Sequence, residues 1–169
     1  MLIKLSMIWI VILNVTLWPV IQMALAWGFI RMPGAWFGVP VRGFDFETRG
    51  FYERCFGVKR WKDRLPDGAR WIGGGFPKKE LAGEDHGYLE EFIRETRRGE
   101  LCHGCALLFV PIFCLWNPWW GDLVIFAYAI IANLPCIIVQ RYNRIRLHRL
   151  LARFKAPPST AIRHENTHA

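Results

Sequence analysis

From Leu5 to Ile30 the chain runs 26 residues without a charged side chain. Wound as an α-helix at 1.5 Å per residue, that stretch is roughly 39 Å long and exceeds the ~30 Å hydrocarbon core of a bilayer. A helix apolar on every side has to be surrounded by lipid or by other protein. Two further runs repeat the problem. Leu101 to Gly121 is uncharged apart from His103, and Leu123 to Gln140 is wholly uncharged. Asn117-Pro118 breaks a helix, so the helical part of the second run is expected to stop near Trp116. The segment "NPWWGD" then reads as a tight turn that sets two Trp at the depth of an interfacial belt.

These runs predict an all-α integral membrane protein forming a single membrane domain over residues 1–169. About three membrane helices are expected, one N-terminal (5–30) plus a C-terminal helical hairpin (101–116 and 123–140). Each arm of the hairpin is short for a full span, so a re-entrant hairpin is the alternative. Residues 31–100 make a cytoplasmic or interfacial middle segment, 141–155 a basic amphipathic tail, and 157–169 a disordered end.

Charge gives the orientation. Of the 22 Lys and Arg, all but Lys4 fall in the middle segment or the tail, and net charge is +8 in a 169-residue chain. The middle segment nearly balances its charges, while the tail has seven Lys/Arg against Glu165 alone. The positive-inside bias therefore places both on the cytoplasmic side of a multi-pass cell-membrane protein. A basic tail suits anionic membrane lipids and offers no folded basic face to nucleic acid. A rival reading makes residues 1–26 a cleaved signal, with Lys4 as n-region and Ala24-Leu25-Ala26 as cleavage site. The apolar stretch is longer than a signal core, and cleavage would put the basic middle segment outside, so an anchor fits better.

The chemistry-bearing residues collect where charge meets hydrocarbon. In "ETRRGELCHGCALLFVPIF", a helix begun near Tyr88 sets Leu89, Phe92, Thr96, Gly99, Glu100 and His103 on one face. Glu90, Glu91, Arg94, Arg97 and Arg98 fall on the opposite arc. Glu100 and His103 thus point where the helix packs. A His–Glu pair three residues apart is often a structural hydrogen bond. Ionisable groups in a membrane are costly, however, and a carboxylate beside an imidazole suits a general base. In the third run Asn133, Gln140 and Arg144 form a polar stripe that must face protein or a polar cavity. "FYERCFGVKRWKDRLPDGARW" interleaves aromatics with Lys59, Arg60, Lys62 and Arg64, as expected of a segment lying at the interface. Pro66-Asp67-Gly68 reads as a turn and Gly73-Gly74-Gly75 as a flexible connection.

Other chemistries find less support. No G-x-S-x-G occurs, and Ser6 and Ser159 are the only serines, which argues against a serine acyl-enzyme. The E-x-x-H of Glu100 and His103 lacks the second copy a di-metal site needs, and the triple glycine lacks the Lys-Ser/Thr of a phosphate loop. No metal and no cofactor are expected. Five cysteines (Cys55, Cys102, Cys105, Cys114, Cys136) show no disulfide framework; Cys102 and Cys105 make a C-x-x-C without a thioredoxin-like βαβ context.

The stretches "FYERCFGVKRWKDRLPDG", "ETRRGELCH" and "ANLPCIIVQRYNRIRL" resemble the glycosyl-4,4'-diaponeurosporenoate acyltransferase family of staphyloxanthin-type carotenoid synthesis. The likeness runs from about Phe44 to Leu151. The family pattern Glu-Thr-Lys/Arg-Arg followed by Glu-x-x-His matches Glu95, Thr96, Arg97, Arg98, Glu100 and His103. The residue after the histidine, often Trp in that pattern, is Gly104 here, a departure that bears on the acceptor. The resemblance implies a membrane acyltransferase that esterifies a hydroxyl of a glycosylated isoprenoid or carotenoid lipid. Its partners would be an acyl donor (a thioester or similar) and a glycosylated lipid acceptor. Within that reading His103 is the general base and Glu100 orients it. Arg97 or Arg98 and the Lys59, Arg60 and Lys62 cluster hold the anionic headgroup, Asn133 and Gln140 hydrogen-bond the sugar or the oxyanion, and Glu95 and Arg144 are further substrate-binding residues. The competing readings are a non-enzymatic scaffold for lipid or pigment enzymes and a thiol oxidoreductase using Cys102 and Cys105.

Orientation is testable on intact cells. With the native cysteines removed, a single cysteine at Gly83 stays unlabelled by an impermeant thiol reagent until the membrane is opened. Ready labelling from outside would overturn the orientation and favour a cleaved signal.

Overall fold

A computed structural model describes residues 2–38, 46–65 and 86–155. The turn expected at Pro66-Asp67-Gly68, the triple glycine and the chain end from Pro157 lie outside the described residues. Helix α1 covers Met7–Arg31. Pro33 stops it, because the residue before a proline is driven out of the helical region, and Met32 is extended at φ −68°, ψ 140°. Ile10 and Trp18 are its buried residues, while Ile8, Val15 and Met23 are exposed, as expected of a lipid-facing surface. A 3₁₀ turn, Gly34–Phe37, follows.

Helix α2, Arg49–Phe56, opens on Thr48, whose Oγ1 accepts from the Phe51 amide at 3.1 Å. It closes on Gly57 at φ +56°, a left-handed conformation that glycine adopts without strain. That sharp turn starts α3, Val58–Trp61, and lets Tyr52 and Val58 pack together against a later helix. A short 3₁₀ turn, Lys62–Arg64, completes this segment.

Helix α4, His86–Leu108, crosses from the polar block into the apolar run without interruption. Its end differs from the sequence expectation. The α-helix stops at Leu108, and a 3₁₀ segment, Val110–Leu115, carries the chain on. The cause is Pro111, which cannot donate to the Leu107 carbonyl and clashes with it, so the break precedes Asn117-Pro118. Helix α5 then runs from Trp119 to Lys155. Trp119 to Asp122 thus form its first turn, leaving Trp116 to Pro118 as the whole connection. A Cβ on Gly121 would sit 3.3 Å from Pro118 Cδ, so a larger residue would crowd this turn.

Helix α5 also differs from the expectation of a span ending at Gln140 and a separate tail. It is unbroken for 37 residues, roughly 55 Å, far longer than a hydrocarbon core. Residues 141–155 keep an apolar side, but Leu147 buries it against Leu89 and Phe92 of α4. Arg146, Arg149 and Arg153 remain exposed.

Helices α4 and α5 pack antiparallel. Leu89 meets Leu147 at one end, and Phe113 joins Ile125 and Ala129 at the other. Helix α1 closes the second end, contributing Ile10 and Trp18 to the cluster around Phe113 and Trp116. Asn14 lies there too: its Nδ2 donates to Asn117 Oδ1 at 2.9 Å, and Trp116 Nε1 donates to Asn14 Oδ1 at 2.9 Å. The architecture among the described residues is all-helical, and three helical segments are long and apolar enough to cross a membrane: Met7–Arg31, His86–Leu115 and Trp119–Phe154.

Phe113 is fully buried and Ile8 is 71% exposed. In a bilayer, lipid would replace water as the alternative environment, and truncation would mainly cost packing contacts. Phe113→Ala should therefore destabilise by about 3 kcal/mol and Ile8→Ala by nearly nothing. Detergent-titrated unfolding would measure both, and equal losses would refute the assignment of lipid-facing and bundle-facing sides.

Candidate active site

Between the apolar clusters the three long helices bring together a layer of polar side chains. Asn133 of α5 lies at its centre and is fully buried. Its Nδ2 donates to the Ala129 carbonyl one turn back at 2.9 Å. A carbonyl can only accept, so this bond fixes which end of the amide is oxygen. The oxygen Oδ1 therefore turns the other way. It accepts from Gln22 Nε2 of α1 at 3.2 Å and lies 2.9 Å from His103 Nδ1 of α4. Facing an acceptor, Nδ1 must carry a proton. Neutral His103 is thus the Nδ1–H tautomer, with its basic lone pair on Nε2. Both lone pairs of Oδ1 are thus engaged within the fold, and the side chain is fully buried.

One turn from His103 along α4, Glu100 is clamped by two guanidinium groups of α5. Arg141 Nε donates to Oε1 at 2.6 Å, and Arg144 Nη2 donates to Oε2. Arg141 also reaches Glu47 at 2.5 Å, on the approach to α2. Tyr52 donates its hydroxyl to the same Glu47 oxygen at 2.8 Å. Burial, reinforced by that carboxylate, pushes the Tyr52 phenol up to about 12, so it stays a neutral donor. A second bridge joins α2 to α5. Tyr142 donates to Glu53 Oε1 at 2.7 Å and accepts from Arg49 Nε at 3.2 Å. The Tyr142 hydrogen bond holds the Glu53 carboxyl below its ordinary range.

The remaining sequence-derived residues divide by position. Arg98 donates to Glu95 and to the Met32 carbonyl, and its guanidinium lies 4.9 Å from the Phe37 ring centroid. Both residues of this pair are largely buried, so Arg98 does not occupy the solvated arc expected for it. The 3₁₀ turn after α1 covers that side of α4, and Arg98 is held through Nη1 and Nη2 while its Nε is buried without a hydrogen-bond partner among the described residues. Lys59 and Arg60 are exposed on α3, where Arg60 borders an open hollow with Glu53, Phe56 and Trp61. Lys62 pairs with Asp63 at 2.6 Å.

Arg97, Gln140 and Arg144 carry unpartnered atoms as Arg98 does. Arg97 Nε, Gln140 Oε1 and Arg144 Nη1 are buried atoms without a hydrogen-bond partner among the described residues. Arg97 lies three residues before Glu100 on α4, and Gln140 four residues before Arg144 on α5, the arginine that donates to Glu100. Buried polar groups normally find partners, and a substrate headgroup is one way to supply them. None of the five cysteines forms a disulfide, and no cluster of metal-ligating side chains occurs among the described residues.

Sequence reasoning missed Glu47, Tyr52, Arg141 and Gln22. Arg141 adjoins Gln140 on the polar stripe and was available to it. Glu47 and Gln22 carried no periodic signal, because their roles come from segments far apart in the chain.

Comparison with known proteins bears on what this geometry is for. A family model described as glycosyl-4,4'-diaponeurosporenoate acyltransferase matches residues 33–153. Proteins of that name from Staphylococcus aureus strains bovine RF122 / ET3-1 and USA300 are each 39% identical over 111 residues, 65% of this chain and 67% of theirs. The protein of the same name from strain N315 is 40% identical over the same shares. No solved structure matches the chain.

Arg141→Met should leave the mostly buried Glu47 and Glu100 without their shared cation. Breaking such a pair costs about 3 kcal/mol, the low end being apt because Arg141 is one-third exposed. Adding Glu47→Gln should recover part of the loss in thermal unfolding of the detergent-solubilised protein. No loss in the single variant would show that the carboxylates are solvated.

Proposed function

The chain belongs to the glycosyl-4,4'-diaponeurosporenoate acyltransferase family, and on that premise we propose that it is a membrane acyltransferase working through His103. It moves a fatty acyl group from a thioester donor to a hydroxyl of a glycosylated isoprenoid lipid. The observation carrying the catalytic assignment is the His103 Nδ1 contact with Asn133, because it leaves Nε2 as the proton acceptor. The acceptor hydroxyl gives its proton to Nε2 as its oxygen attacks the acyl carbonyl carbon. The new C–O bond forms, the C–S bond breaks, and the imidazolium returns the proton to the departing thiolate. Products are the ester and a thiol. A base of this kind contributes on the order of 10²–10⁴ in rate.

Asn133 acts in this reading as a positioning residue. Glu100, held by Arg141 and Arg144, anchors α4 against α5 one turn from the base. Arg97, Gln140 and Arg144 offer their unpartnered atoms to the polar end of a substrate. Glu95 and Arg98, bound to each other, are assigned to the fold. Lys59 and Arg60, with the exposed arginines of α5, face the phosphates of an anionic cytoplasmic leaflet. Because Leu147 is covered by α4, that attraction works by charge and not by inserting an apolar face. Walls of hydrocarbon-facing helix keep water from the thioester.

His103→Gln keeps a donor toward Asn133 but has no base. It should abolish acylated lipid, by at least about 10²-fold per inserted molecule, without lowering membrane accumulation. Glu100→Gln should be hurt less in turnover and more in accumulation, since it loosens two arginines. The assay is product per inserted molecule, with lipid and pigment profiles of cells with and without the chain. Wild-type turnover in His103→Gln would end the catalytic reading and leave the scaffold.

A further inference from the structure

Helix α1 lies outside the matched segment 33–153, yet it delivers a side chain to the centre of the polar layer. Gln22 Nε2 donates to Asn133 Oδ1 at 3.2 Å, the same oxygen that faces His103 Nδ1. We propose that Gln22 is a positioning residue for the reaction, which makes α1 part of the catalytic centre and not only an anchor. This rests on the reading of His103 as the base.

The physical case has three parts. First, the contact is placed with care. Helix α1 is tied in register at its other end by the Asn14–Asn117–Trp116 hydrogen bonds and by backbone donation from Leu2 and Ile3 to the Leu115 carbonyl. From Asn14 to Gln22 is just over two helical turns, so the two polar residues share one face of α1. Second, one N–H occupies a specific lone pair. Asn133 Oδ1 has two, and with Gln22 on one of them only the other remains for His103. The imidazole is thereby given a single direction in which to donate. Third, nothing else in α1 needs an amide at this depth. A polar group facing hydrocarbon is costly, and an apolar residue would span equally well. The same bond speaks against a cleaved leader. Cutting after Ala26 would take away Gln22, Asn14, and the buried Ile10 and Trp18.

Gln22→Met matches the length of the side chain, suits the membrane and removes the donor. Full-length chain in native membranes, assayed against the thioester donor, should then lose about fivefold in kcat with KM unchanged. In an Asn133→Ala background the same change should cost nothing more, since the oxygen it serves is gone. Gln22→Glu supplies the readout that mere packing would not move. A carboxylate beside the Asn133–His103 pair favours imidazolium, so the acid limb of the pH–rate profile should shift to higher pH. An N-terminal epitope tag should remain on the active protein. Wild-type kcat in Gln22→Met together with an unshifted limb in Gln22→Glu would overturn the proposal, as would loss of the tag. Failure of the parent reading looks different: His103→Gln would then be active, whatever Gln22 does.

Discussion

The guanidinium of Arg141 is the contact on which the arrangement depends. It lies between Glu47 and Glu100 and so ties the α2 segment, α4 and α5 together. A single cation serves two carboxylates that are only 10% and 15% exposed, and Arg144 adds a second charge to Glu100. Without those partners the two carboxylates would be left buried and unpaired, which is strongly destabilising. With them, the three segments are held together by ion pairs. The neighbouring tyrosines extend the same logic, Tyr52 to Glu47 and Tyr142 to Glu53.

Above this ionic layer the bundle changes its chemistry. The next polar level is neutral, built from Gln22, Asn133 and His103, and the level beyond it, Asn14 with Asn117 and Trp116, is neutral as well. The arginine–carboxylate pairs thus lie toward one end, while amides and an imidazole serve the interior, where an unpaired charge costs far more than an unpaired amide. The order suits the proposed reaction, in which an anionic headgroup would meet the charged end and proton transfer would run among neutral groups. Pro135, two residues past Asn133, lacks the amide hydrogen that would bond the Ile131 carbonyl, so α5 is loosened just beside the residue that holds the histidine.

Much of this was legible in the chain. Uncharged run length gave the three long helices, and helical spacing put Glu100, His103, Asn133, Gln140 and Arg144 on inward faces. The motif around Glu95 to His103 gave the family. Failures came where distant segments meet. Spacing three apart suggested that Glu100 orients His103, and it had no means of finding the Nδ1 contact with Asn133 Oδ1, thirty residues on. Arg98 read as solvated because periodicity knows only its own helix, and the turn covering it comes from Gly34–Phe37. The span to Gln140 and the basic amphipathic segment after it are one continuous helix. Nothing in Arg141 to Lys155 breaks a helix, and α4 covers its apolar side.

The unbroken course of α5 makes depth and rotation a single quantity. From Asn133 to Arg144 the helix rises roughly 16 Å and completes about three turns with no loop to absorb an error. A residue gained or lost between them would slide one level past the other by ~1.5 Å and also swing it through ~100°. Either the amide would leave the histidine or the arginines would leave Glu100. The rod therefore acts as a gauge whose two marks cannot be adjusted separately. Substitutions along it can retune a pocket, but a change in its length would have to separate the neutral level from the charged one.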